Sequence, residues 1–207
     1  MEKDGDGKIM CAMLKDFLSD YQIVLASQSP RRRELLAGLD IPFIQISLPD
    51  IEEVYPDSLP LEEVPLFLSR LKATAYRERM QASTLLITAD TVVIIEGEIL
   101  GKPQDRSEAE SMLKKLSGKE HIVVTGVSIT SLEKQESFSC CSKVCFEKLS
   151  SEEIDFYLDH YRPYDKAGAY GIQEWIGYVG IHHVEGSFYN VMGLPVHLLY
   201  QSLKDFA

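Results

Sequence analysis

Three stretches of this sequence combine side chains that packing alone does not require. In Ser27-Gln28-Ser29-Pro30-Arg31-Arg32-Arg33, Ser29 suits a helix cap and Pro30 the first helical position. Three arginines then fill the first turn, where the helix macrodipole disfavours cations. A bound anion would reverse that cost, because free backbone N–H groups, hydroxyls and guanidinium groups at a helix start cradle phosphate. The bland alternative pairs the arginines with Glu34 and other surface acids.

Asp90 interrupts the apolar run Leu85-Leu86-Ile87-Thr88-Ala89-Asp90-Thr91-Val92-Val93. A carboxylate there is expensive to bury without a partner. It can hold a metal, act as a general base or form a structural ion pair, and a strand ending at Ala89 would leave it in a loop. If the strand continues, Thr91 points to the opposite face. Lys72 adjoins the apolar stripe of a helix, Lys102 follows a strand in Gly101-Lys102-Pro103, and Glu52-Glu53 lie in an acidic cluster with Asp50. Either lysine could simply be solvated. Their convergence near element ends, where α/β proteins place ligands, suits a polyphosphate held by cations and a divalent metal held by carboxylates. In Asp165-Lys166-Ala167-Gly168-Ala169-Tyr170-Gly171-Ile172-Gln173, small residues imply close backbone approach, and Gln173 offers the donors and acceptor that suit a nucleobase edge.

The elements that must position these groups follow from periodicity. Tyr21–Ala26 reads as a buried strand and the arginine segment as a helix ending at Gly38. A second helix begins near Pro60, with Leu61, Val64, Leu68, Leu71 and Ala75 as its apolar stripe. Residues 84–100 read as a hairpin turning at Glu96-Gly97-Glu98. A third helix buries Ala109, Met112, Leu113 and Leu116 and stops at Gly118; two long antiparallel strands follow. Ser150 and Glu153 form a capping box for a helix that Pro163 terminates, and a last helix starts near Pro195. Hairpins among alternating strands and helices predict an α/β fold with a mixed sheet.

The 207 residues carry 21 Lys+Arg against 32 Asp+Glu, a net charge of −11, which argues against binding a nucleic acid polymer. No apolar run spans a membrane and the N-terminus lacks signal-peptide character, so a cytoplasmic protein without a membrane partner is expected. Cys140, Cys141 and Cys145 lack zinc-site spacing and read, like Cys11, as reduced thiols packed as small hydrophobes. Asp4-Gly5-Asp6-Gly7 resembles a calcium loop but has Lys15 where a bidentate Glu is needed, so residues 1–20 read as a frayed extension and 21–207 as one domain.

Six ordered motifs, ASQSPRRRELL, ITADTVV, LGKPQD, LSGKEHIVVTGVSI, DKAGAYGIQ and GSFYNVMGLP, closely resemble the Maf family, and within it the branch of dTTP/UTP pyrophosphatases. The resemblance runs from about Ile23 to the C-terminus. It implies a mixed, curved sheet flanked by helices, with two lobes around a cleft, as in the Maf/inosine-triphosphatase-like fold. It implies hydrolysis of a nucleoside triphosphate, dTTP, UTP or a modified pyrimidine nucleotide, to the monophosphate and pyrophosphate. Asp90 matches the catalytic base; Arg31, Thr91 and Gln173 match positions associated with substrate choice; Ser27, Arg32, Lys72 and Lys102 match phosphate contacts. Glu53, with Asp90, matches the acidic residues that hold Mg2+ or Mn2+. A homodimer is the assembly kept open.

Three positions depart from the family pattern: Thr88 stands where glycine is common, Asp50-Ile51-Glu52-Glu53 where D-x-D-E is frequent, and Glu174-Trp175 where a small residue usually follows Gln173. The last lies nearest the expected base pocket. Competing readings are a non-catalytic nucleotide-binding regulator of cell division and the 7-methyl-GTP branch of the same family. A dehalogenase-type phosphatase would need D-x-D after the first strand, where Ser27-Gln28-Ser29 stands.

Overall fold

The computed structural model describes residue 14 and residues 16–47 and 51–206. Cys11, Lys15, Asp50 and the Asp4–Gly7 segment lie outside the described residues. Leu14 and Leu18 are buried in the main core, so this end of the N-terminal extension is packed rather than frayed.

The sheet is built on β3 (Thr84–Ile95), a strand buried on both faces that continues straight through Asp90. β1 (Gln22–Ala26) pairs parallel with its first four residues, and β2 (Ile44–Ile46) pairs parallel with β1. β4 (Glu98–Leu100) returns antiparallel along the end of β3 after a turn in which Glu96 and Gly97 both have positive φ, the signature of a tight hairpin. On the other side β5 (Glu120–Thr130), β6 (Gln135–Phe146) and β7 (Ile181–Glu185) continue antiparallel, giving the mixed sheet order β2-β1-β3-β5-β6-β7 with β4 beside β3.

This topology leaves a gap. β1 reaches only Ile87 on β3 and β4 begins at Val93, so Thr88–Val92 pair with β5 alone among the described residues. The arm carrying β1 and β2 and the arm carrying β4 diverge there, and a cleft opens along the unpaired edge.

Helices cover both faces. α1 (Pro30–Ala37) follows β1, its first turn capped by the Ser29 hydroxyl and closed near Gly38 as the sequence predicts. With α3 (Arg106–Leu116), α4 (Ser151–Tyr161) and α7 (Val196–Phe206) it contributes to the main core. The α3 stripe Ala109, Met112, Leu113 and Leu116 is fully inside, and each of its larger side chains stabilises by roughly 1.5–3 kcal/mol. The Ser150/Glu153 capping box is formed at the start of α4.

On the opposite face lies α2 (Val64–Tyr76), entered through a 3-10 turn at Leu61–Glu63. Its buried side is Val64, Pro65, Leu68, Ser69 and Ala73, a rotation from the expected stripe that leaves Leu71 half-buried and Ala75 exposed. Close approach explains the rotation. A Cβ on Gly126 of β5 would lie 2.3 Å from the Leu66 backbone nitrogen, so the helix sits directly on the strand where no side chain intervenes. Small Ser69 and Ala73 face inward, and the Ser69 hydroxyl lies 2.8 Å from that of Ser128.

The cysteines depart from expectation: Cys140 and Cys145 are half-buried and Cys141 exposed, all as free thiols, because β6 turns one face toward solvent. The glycine-rich tail contains two elements that its sequence does not announce, α5 (Trp175–Gly180) and β7, followed by α6 (Phe188–Met192).

Candidate active site

The cleft along the unpaired edge of β3 has a volume of about 790 Å³, and Ser27, Arg31, Arg32, Glu53, Lys72, Asp90, Thr91, Lys102 and Gln173 all line it. Arg33 does not; it is exposed on the outer side of α1. Five cations, Lys166 included, meet the three carboxylates of Glu53, Asp90 and Asp165, a local positive excess in an acidic protein.

Asp90 and Thr91 project to opposite faces of β3. Asp90 lies opposite Gly126 in the ladder, on the α2 side. Lys72 donates from Nζ to Asp90 Oδ1 at 2.5 Å and lies 2.9 Å from Glu53 Oε1. The side chains of Lys72 and Asp90 are each only 13% exposed, so the pair is shielded from much of the screening that weakens surface ion pairs. Glu53 is about half exposed and forms the outer rim.

Thr91 faces the main core. Its hydroxyl lies 2.9 Å from that of Thr125 and accepts from Arg32 Nη2 at 2.9 Å. Arg32 also donates from Nη1 to the Ala89 carbonyl and from Nε to the Gly193 carbonyl, both at 2.8 Å. Arg32 thus satisfies one carbonyl of the open strand edge and ties it to the loop after α6. Burial lowers the Arg32 pKa, opposed by Asp90 and assisted by Arg31. Three of the five guanidinium N–H groups are used, leaving two for a ligand. Thr125 donates onward to the Asn190 carbonyl, and Asn190 Nδ2 donates to Val123 O and Ser142 Oγ, both at 3.0 Å.

Ser27 accepts from the Ser29 N–H at 3.2 Å, shaping the turn into α1. Lys102 is exposed at the rim with no ion pair among the described residues. Gln173 presents a buried Oε1 that has no hydrogen-bond partner. Arg31 pairs with Asp165 at 2.8 Å; burial pushes the Asp165 carboxyl up, but Lys166 and Arg31 outweigh it and hold the group below its usual range.

Sequence reasoning left Lys166, Glu174, Tyr157 and Gly193 without roles. Lys166 is buried against Asp165 and Glu174, and the Tyr157 hydroxyl donates to Glu174. Glu174 and Trp175, the departure from the family pattern nearest the expected base pocket, do not line the cleft: Glu174 turns toward Lys166, and the Trp175 ring centroid lies 4.8 Å from that of Phe156. The only sequence signal for this cluster was the adjacent charges Asp165-Lys166 among small residues.

The family model described as Maf-like protein matches residues 22–206. The chain belongs to the Maf-like family. It is 67% identical over 193 residues to a protein named dTTP/UTP pyrophosphatase from Porphyromonas gingivalis (strain ATCC BAA-308 / W83), covering 92% of this chain and 97% of that one. A protein of the same name from Bacteroides thetaiotaomicron is 55% identical over 187 residues, covering 90% and 97%. A solved HAM1 protein from Coxiella burnetii is 19% identical and aligns with a TM-score of 0.47 over 89% of this chain and 99% of that one. The Maf-like region thus contains every residue of the cleft.

Proposed function

We propose that this chain is a nucleoside triphosphate pyrophosphatase that hydrolyses dTTP and UTP to the monophosphate and pyrophosphate. The observation that carries the reading is Asp90, a carboxylate held by Lys72 at the unpaired edge of β3 inside a cleft where cations predominate. A protein that merely bound triphosphate would gain nothing from a carboxylate beside its anionic ligand. The same names borne by relatives of 55–67% identity support the substrate class.

Arg32 through its two remaining N–H groups, Lys102 and the Ser27 turn at the start of α1 hold the triphosphate. Lys72 fixes the Asp90 carboxylate, which accepts the proton of the water attacking the α-phosphorus. Thr91 acts through Arg32, whose guanidinium it fixes. Gln173 Oε1 accepts from the ring N–H flanked by two carbonyls in uracil and thymine; cytosine, with an acceptor there, leaves that oxygen unpaired.

A divalent cation fits the donor set. Glu53 and Asp90 already converge on the Lys72 ammonium, which shows that a positive charge is accommodated between them. Among the described residues no group of three or more His, Cys, Asp or Glu could hold a metal, so the two carboxylates would share Mg2+ or Mn2+ with phosphate oxygens. When bound, the metal would neutralise charge on the phosphates.

Purified protein with metal and a panel of nucleoside triphosphates, scored for pyrophosphate against orthophosphate, tests the reading. Pyrophosphate from dTTP and UTP is expected; orthophosphate as the sole product rejects it.

A further inference from the structure

Gln173 sits third in the turn Gly171-Ile172-Gln173-Glu174, which is closed by the Glu174 N–H donating to the Gly171 carbonyl at 3.0 Å. The other backbone group of Gly171, its N–H, donates at 3.0 Å to the Tyr157 hydroxyl. Tyr157 in turn donates to Glu174 Oε2. Glu174 therefore grips the first residue of the turn twice, once through its own backbone and once through its carboxylate and Tyr157. The fit is tight: a Cβ on Gly171 would lie 2.9 Å from Glu174 Cδ and 3.0 Å from Lys166 Cε.

The second Glu174 oxygen extends the connection. Oε1 lies 3.1 Å from Lys166 Nζ, Lys166 donates to Asp165 Oδ1 at 2.7 Å, and the other Asp165 oxygen accepts from Arg31 at 2.8 Å. Lys166 is only 7% exposed, so its charge depends on both carboxylates. Without the Glu174 charge, Lys166 would draw Asp165 toward itself, and Arg31 would lose its share of that carboxylate. One side chain that does not line the cleft thus governs two that do, Gln173 and Arg31.

We infer that Glu174, acting with Tyr157 through the Gly171–Glu174 turn and the Lys166–Asp165–Arg31 chain, is a specificity-determining positioning residue for the base end of the cleft. This rests on the pyrophosphatase reading above. Among the described residues, the side chains of Arg32, Lys102 and Ser27, which hold the phosphate end, make no hydrogen bond or ion pair to Glu174, Tyr157, Lys166 or Asp165, so that end should respond less than the base end.

The test uses full-length protein carrying Glu174→Gln, Tyr157→Phe or both. Each single variant is expected to raise KM for UTP and dTTP about tenfold while kcat stays within about twofold, the pattern of lost binding shared by ground and transition states. The preference for UTP over GTP should shrink, and the double variant should be no worse than the poorer single one, because both act on one turn. Binding of inorganic pyrophosphate, measured by calorimetric titration, should be unchanged, which a general loosening of the fold would not allow. An unchanged KM and preference in an active Glu174→Gln protein overturns the inference alone, as does pyrophosphate affinity falling in step with KM. Wild-type protein that releases no pyrophosphate overturns the parent reading, and the inference with it.

Discussion

Asp90 and Thr91 are consecutive residues of one strand, yet they belong to two differently built regions. On the α2 face, Asp90 has a single short ion pair to Lys72, shared with a half-exposed glutamate at the rim. Those partners are charged side chains, one nearly buried and one at the open rim, and neither is a backbone group. On the core face, Thr91 joins Arg32, Thr125 and two backbone carbonyls in a network continued by Asn190 into β6. Those partners are held by several elements at once: β3 and β5, helices α1 and α6, and the loop after α6. On the proposed reading, with Asp90 as the base, the difference teaches that a reactive group keeps exchangeable neighbours while the groups beside it are held by a fixed network, and strand alternation supplies both from adjacent positions.

The sharpest way to break the comparison is Asp90→Asn. Turnover should fall roughly 10²–10⁴-fold with nucleotide binding retained, measured by pyrophosphate release and equilibrium titration. An unchanged turnover number would sink the assignment of the base. Thr91→Val probes the opposite face: it leaves Arg32 Nη2 and the Thr125 hydroxyl short of a partner and should cost about 1–3 kcal/mol, read from the denaturant midpoint. A change confined to activity, with the midpoint intact, would contradict the view of Thr91 as part of a rigid frame.

The core face should also be the acid-sensitive one. His121 of β5 lies on it, nearly inaccessible, 2.7 Å from the Tyr170 hydroxyl, and burial pulls its pKa down to about 4. The unfolded chain takes up this proton near pH 6.5 and the folded protein only near pH 4, so stability is full above 6.5 and is lost as pH falls through that window. The loss should reach about 2 kcal/mol at pH 5 by denaturant titration. A His121→Gln variant should lack this part of the pH dependence. The smallest effect belongs to Lys102→Ala at the exposed rim: a KM rise of about three- to tenfold that diminishes at high salt, with kcat little altered.

Much of this arrangement was legible beforehand, for a physical reason in each case. Asp90 stood out because a carboxylate in an apolar strand run is costly, and the α1 arginines because cations at a helix start are. The stripe of α2 was read one step out of phase, since its orientation is set by the absence of a side chain at Gly126, sixty residues away in a different element. β7 was missed because Ile181-His182-His183-Val184-Glu185 lacks a clear alternation and is paired on one side only, with β6. Glu174 stands out in the sequence only as a departure from the family pattern near the expected base pocket. Its partners, Lys166 and Tyr157, lie on a loop and a helix whose approach no local pattern encodes.

The unpaired stretch of β3 has a consequence for how this protein can change over generations. Because β1 and β4 pin the strand's register at either end and β5 runs along it, its length between Ile87 and Val93 has no slack. Deleting or inserting a single residue there would exchange the two faces, turning the carboxylate into the core and the threonine toward Lys72. Loops tolerate changes of length far better than a strand pinned in register, so the residue count of this segment is itself a feature of the candidate active site.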